Sequence, residues 1–212
     1  MGAPTLIIGT KAYSSWSLRP WLLLKHFEVD FIEVQLTLDT PRFAQQVRQW
    51  SPTARVPVLV HGNLRVWDSL AICEYVNEAF LDGRAWPASQ PDRALARSLV
   101  AEMHSGFACM RNEMPMDLRR RPAAVQLTDA GFADVARVQQ IWDGCTATRG
   151  DSWLFGDFSI VDAFFAPVAF RFATYATELT SSSERYRDRL LAHPAMLDWA
   201  RQSAQADGNR PL

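Results

Sequence analysis

Asp68 and Ser69 stand side by side at the head of an apolar run with helical spacing, and upstream of them lies Arg55-Val56-Pro57-Val58-Leu59. A helix N-terminus presents unpaired N–H groups and the positive end of a dipole, which suits a carboxylate, while a neighbouring aspartate suits an ammonium. A proline inside a β-type run removes a ladder donor, so Val56-Pro57 belongs at a strand edge, a bulge or a cis turn. There the backbone of Val56 is open to an extended peptide that pairs with it as an added strand. Singly, each feature is an ordinary helix cap or strand edge; in this order and spacing they describe a site for a short peptide with a zwitterionic end.

A third group with chemical potential is Tyr13-Ser14-Ser15-Trp16-Ser17-Leu18-Arg19-Pro20. Proline is tolerated in the first turn of a helix and clashes in its interior, so Pro20 predicts a helix that begins no earlier than Ser17. With Ser17 as N-cap, Ser14, Ser15 and Trp16 fall in the preceding loop, free to face a ligand.

These groups need elements to position them. Aliphatic or β-rich runs predict strands over 5–9, 30–36, 56–60 and 64–67, the last two joined as a hairpin about His61-Gly62-Asn63. Helices are predicted over 18–27, 41–49 and 69–80, the last with Leu70, Cys73, Val76 and Phe80 on one face. The order β-α-β-α-β-β-α requires one parallel pair and one antiparallel hairpin in a small mixed sheet, a thioredoxin-like arrangement. Beyond the punctuation at Asp82-Gly83-Arg84-Ala85-Trp86-Pro87 the chain turns to helix formers. Three units are expected: a mixed α/β domain over 1–83, a linker over 84–91 and an all-helical domain over 92–212. Leu95, Leu99, Met103, Phe107, Met110 and Met114 predict one long helix ending near Pro115. A second is expected around Phe132 to Trp142 with Thr128 as cap, and a third over 163–175 behind the capping box Ser159-Ile160-Val161-Asp162. Two short terminal helices are expected over 186–191 and 194–202.

With 212 residues, 48% of them hydrophobic, the chain can bury a full core. Its 22 basic and 23 acidic side chains nearly balance, which gives no electrostatic case for nucleic acid or an anionic membrane. Arg119-Arg120-Arg121 before Pro122 reads as a solvated helix end. Cys73, Cys109 and Cys145 are odd in number and form no C-x-x-C pair, which suits a reducing compartment. His26, His61, His104 and His193 have no ligand spacing, so no metal is expected. The most apolar stretch, near 160–173, is interrupted by Asp162, Pro167 and Arg171, and a cytoplasmic location is expected.

The whole chain resembles the cytosolic glutathione transferases. The matching segments are Tyr13 to Arg19, Val56-Pro57, Asp68-Ser69, and Gly156-Asp157-Phe158-Ser159-Ile160-Val161-Asp162-Ala163. The last resembles the family's folding signature, which implies structural roles for Ser159 and Asp162. Ser14-Ser15-x-Ser17-x-Arg19 is most similar to the serine-type, zeta-like and related bacterial branch, except that zeta members carry Cys where this chain has Trp16. The resemblance implies glutathione as cosubstrate, with its γ-glutamyl end on Asp68 and Ser69 and its cysteinyl backbone on Val56 and Pro57. Arg55 or Arg42 would meet the glycyl carboxylate, and Trp16 would lie beside the sulfur. Ser14 first and Ser15 second are the hydroxyls expected to favour the thiolate, with Tyr13 as the other candidate. A small, largely apolar electrophile is expected against Trp16, Met103, His104, Phe107, Met110 and Arg111. The implied activity is thiolate transfer to that electrophile. A glutathione-dependent isomerase of the maleylacetoacetate type, a peroxidase and a non-catalytic glutathione-binding protein are the alternatives. A homodimer is implied as well.

Overall fold

The computed structural model describes residues 2–150 and 152–205. The first domain runs β1 (Thr5–Ile8), α1 (Ser15–His26), β2 (Ile32–Gln35), α2 (Phe43–Val47), β3 (Val58–His61), β4 (Leu64–Trp67) and α3 (Ser69–Phe80). The strands lie in the order β2-β1-β3-β4, with β1 parallel to β2 and antiparallel to β3, and β4 antiparallel to β3. Alternation along β1 splits the core. Leu6 and Ile8 pack with Leu18, Trp21 and Leu22 of α1 and Ile72, Cys73 and Val76 of α3, whereas Ile7 joins Leu36, Val47 and Val58 on the opposite face.

Two expectations for this half are corrected. α1 starts at Ser15, not at or after Ser17: the Leu18 N–H already donates to the Ser14 carbonyl at 3.2 Å, and Pro20 sits inside the helix. The proline forfeits one backbone bond, while the same helix fully buries Leu18, Trp21, Leu22, Leu23 and Leu24, which outweighs that loss. Ser17 is not the cap. Its Oγ instead accepts the Gly9 N–H at 3.2 Å, tying α1 to the end of β1. The predicted 41–49 helix shrinks to α2, with Pro41 in the turn before it.

The second half comprises α4 (Gln90–Ser105), α5 (Ala108–Glu113), α6 (Asp129–Arg149), α7 (Ile160–Thr174), α8 (Ser181–Ala192) and α9 (Pro194–Gln205). The single long helix expected up to Pro115 is broken between α4 and α5. Gly106 is extended there, in a place where a Cβ would stand 2.8 Å from the Glu102 carbonyl, and Phe107 follows in the left-handed region at φ 61°. Leu95 is 47% exposed and therefore lies outside the stripe it was expected to join. Arg119, Arg120 and Arg121 belong to the irregular segment between α5 and α6 and do not end a helix, because Pro115 and Pro122 flank them. Thr128 caps α6 by accepting the Gly131 N–H at 3.1 Å. α7 carries the capping box: the buried Asp162 accepts from the Ser159 N–H (2.9 Å) and hydroxyl (3.0 Å), the Leu154 N–H (3.1 Å) and the Tyr186 hydroxyl (2.8 Å). α7 packs on α1, and Trp199 of α9 donates to the Lys11 carbonyl at 2.9 Å, so both helices tie the helical half to the first domain.

Among the described residues, no helix is long and apolar enough to cross a membrane and no group of His, Cys, Asp and Glu could hold a metal.

Candidate active site

Four separate pieces of chain meet at a cavity of about 320 Å³. Trp16 comes from the first turn of α1, Arg55, Val56 and Pro57 precede β3, Asp68 and Ser69 begin α3, and His104 reaches in from the last turn of α4. Thr53 and Trp67 complete the wall. A larger concavity, about 890 Å³, lies near the linker between His26, Trp86 and Phe158 and holds none of the candidate residues.

At the α3 end, Asp68 takes a positive φ of 77° and turns its side chain back over the helix. Its Oδ1 accepts the N–H groups of Leu70 (2.8 Å) and Ala71 (3.4 Å), while its Oδ2 faces His104 Nε2 at 3.2 Å. One oxygen caps the helix and the other faces the neighbouring domain. Burial, more than any neighbouring charge, holds the His104 imidazole below its usual range, so at neutral pH it is uncharged and donates through Nε2 to Asp68. Ser69 is buried, with Arg19 Nη1 donating to its Oγ at 3.4 Å. Val56-Pro57 is a cis peptide, and β3 begins only at Val58, which leaves Val56 outside the ladder.

At the α1 end, Ser14 occupies the cap position and Ser15 the first helical position; both are buried, just before Trp16 in sequence, and neither is among the residues that line the cavity. Ser14 Oγ donates to Ser17 Oγ at 2.7 Å, and Ser15 Oγ accepts from Arg171 Nη2 at 3.4 Å. Tyr13 is not among the lining residues, and its hydroxyl accepts from Arg119 Nη1 at 3.1 Å. Trp16 lies 4.3 Å from the guanidinium of Arg19 and 5.0 Å from that of Arg111, and meets the His104 ring edge-on at 5.3 Å. An indole so held is a preformed wall.

The expected electrophile wall is assembled only in part. His104 and Trp16 line the cavity, whereas Met103, Phe107 and Met110 are buried in the core and are not among its lining residues. Arg111 donates through Nε to the Gly106 carbonyl at 3.0 Å and through Nη2 to the Met103 carbonyl, so its fork secures the α4–α5 break. Arg42 precedes α2 and is not among the residues that line the cavity; Arg55 lines it. Sequence reasoning did not single out Thr53, Trp67, Arg19 or Arg171 by their contacts. For Arg171 a signal existed, since a lone cation inside the otherwise apolar α7 must find buried partners.

The chain matches the family model for the glutathione S-transferase N-terminal domain over residues 13–79 and that for the C-terminal domain over 95–202. It is 25% identical to rat (Rattus norvegicus) maleylacetoacetate isomerase over 171 residues, covering 78% of this chain and 76% of the rat protein. It is 27% identical to a probable maleylacetoacetate isomerase of Caenorhabditis elegans over 144 residues, 68% of this chain and 64% of the nematode protein. Among solved structures, a glutathione transferase homolog from Burkholderia, with bound glutathione, superposes with a TM-score of 0.72 at 24% identity, covering 97% of this chain and 100% of that one. At that identity the likeness shows the fold: a thioredoxin-like first domain followed by an all-helical second.

Proposed function

The chain belongs to the glutathione S-transferase family, and on that premise we propose that it binds glutathione in the Trp16–Asp68 cavity and activates its thiol for attack on a small electrophile. The observation that carries this reading is the convergence, on one cavity, of a helix N-terminus with a carboxylate, an unladdered backbone at Val56 and the start of α1. The γ-glutamyl carboxylate takes the Ser69 hydroxyl and the α3 dipole, its ammonium takes Asp68 Oδ2, and the cysteinyl backbone pairs with Val56. Arg55, on the cavity wall, receives the glycyl carboxylate in preference to Arg42, which does not line it. The sulfur then faces the N-terminus of α1.

A free thiol with a pKa of about 8.5 is only a few per cent ionised at neutral pH. Ionisation breaks the S–H bond, leaves the electron pair on sulfur and releases the proton to solvent. Hydroxyl donation from Ser14 or Ser15 and the dipole of α1 favour the anion, which then forms the new S–C bond with its electron pair; with an aryl halide the carbon–halogen bond breaks and the halide leaves to solvent with that bond's pair. Trp16 supplies an apolar, rigid wall beside that sulfur.

A second reading is a glutathione-dependent isomerase, in which the thiolate adds and leaves again. It is favoured by the two relatives named as maleylacetoacetate isomerases, and opposed by Trp16 standing where the zeta-like pattern has cysteine. Assays of an aryl halide, a cis-dienone and a peroxide, each following glutathione consumption, separate the readings. Stoichiometric conjugation of the aryl halide is expected. Turnover of the dienone alone, with glutathione conserved, would replace transfer by isomerisation.

A further inference from the structure

Arg171 is buried in α7, and among the described residues no carboxylate pairs with it. Its Nη1 donates to the carbonyls of Met114 and of Arg111 (3.3 Å), and its Nη2 donates to Ser15 Oγ at 3.4 Å across the domain boundary. The charged or titratable groups facing it are Arg111 from α5, Arg19 from α1 and the Tyr175 phenol that follows α7. Burial first, and Arg111 second, lower it to about 10, so it stays charged at neutral pH. A buried cation without a counter-ion is costly, and such groups cluster where an anion completes the charge balance.

The two serines differ in what their hydrogens can do. Ser14 already donates to Ser17 Oγ at 2.7 Å. Ser15 Oγ accepts from Arg171, which leaves its own hydrogen free. We infer that Arg171 is a positioning residue for thiol activation: by donating to Ser15 Oγ it directs the Ser15 hydroxyl hydrogen to the glutathione sulfur, and its buried charge favours the thiolate. This rests on the glutathione reading above and selects Ser15 over Ser14 as the activating hydroxyl. In the step itself the S–H bond breaks and the proton leaves to bulk water, while Ser15 and Arg171 keep theirs.

The test uses the full chain saturated with glutathione, and reads the thiolate absorbance against pH in wild type, Arg171→Gln, Arg171→Lys, Ser15→Ala and the double variants. Arg171→Gln is expected to raise the bound thiol's apparent pKa by about one unit, a roughly tenfold lower ratio of thiolate to thiol at a given pH, with glutathione affinity within a few fold. Arg171→Lys, which keeps the charge but not the fork, is expected to shift it less. In the Ser15→Ala background either change should add less than half its effect in wild type. An unshifted titration in a folded Arg171→Gln protein overturns the inference, and so does a full-sized shift that persists without the Ser15 hydroxyl. If Arg171→Gln melts, the Arg171→Lys pair decides by the same comparison. Wild type that binds no glutathione overturns the underlying reading, whereas wild type that holds thiolate with both Arg171 variants unshifted overturns only this one.

Discussion

Asp68 divides its carboxylate between two tasks, and that division makes its role testable. Asparagine can keep the Oδ1 cap on Leu70 and Ala71 but carries no charge toward an ammonium. Asp68→Asn is therefore expected to leave the melting temperature nearly unchanged while weakening glutathione by about 1.5–3 kcal/mol, the range for a lost charge-assisted bond. Ser69→Ala should weaken it in the same direction. Calorimetric titration decides, and unchanged affinity in both variants would move the γ-glutamyl subsite elsewhere. The structure brings Trp16, Arg55, Val56, Pro57, Asp68, Ser69 and His104 to one cavity, and Pro57 and the Asp68-Ser69 helix start are the members with a local signal in the sequence; Ser14 and Ser15 are not among its lining residues. Met103, Phe107 and Met110 were legible only as an apolar stripe, and a stripe faces core and cavity alike. Arg19 meets Ser69 of α3 and Arg171 meets Ser15 across the two domains, contacts between residues far apart in sequence that no local pattern encodes.

Among the elements, α7 depends on one carboxylate. Asp162 serves four donors in a fully buried place, so Asp162→Ala removes the capping box and strands the Tyr186 hydroxyl and two backbone N–H groups. A loss of about 3–5 kcal/mol in denaturant unfolding is expected, the scale for breaking a buried charged network. Here the sequence and the structure agree, because Ser-x-x-Asp is a contiguous motif. The α4–α5 break was not legible from periodicity, since the spacing of apolar residues runs through Gly106; the close approach to the Glu102 carbonyl is visible only in three dimensions. The end of α1 carries a pH dependence. His26 Nδ1 lies 2.9 Å from His193 Nε2 and its ring stacks on Phe158 at 4.0 Å. Burial, then His193, push His26 down from 6.5 to about 4. Between those values the unfolded chain binds a proton that the folded chain refuses, so this contribution to stability is present above pH 6.5 and is lost as pH falls toward 4. Denaturant midpoints measured across that window should drop in wild type and drop less in His26→Gln; parallel curves would contradict this.

For the whole molecule, the mixed sheet and the helical half were legible as a change of composition and of periodicity along the chain. How the halves lock was not, because Trp199 reaching the Lys11 carbonyl is a contact between chain ends. Leu64 on the edge strand β4 is 47% exposed, an apolar side chain on an open strand edge of the kind that symmetric association covers. Light scattering at micromolar concentration is expected to give about twice the 23.9 kDa chain mass; a monomer that binds glutathione would contradict the homodimer. The central claim concerns the thiol, and the most direct measurement is the ultraviolet difference spectrum of the glutathione complex as a function of pH. Saturable binding is predicted, with the bound thiol titrating at least one unit below the free value of about 8.5. Absence of saturable binding, or a bound thiol that titrates at the free value, would contradict thiol activation at this site.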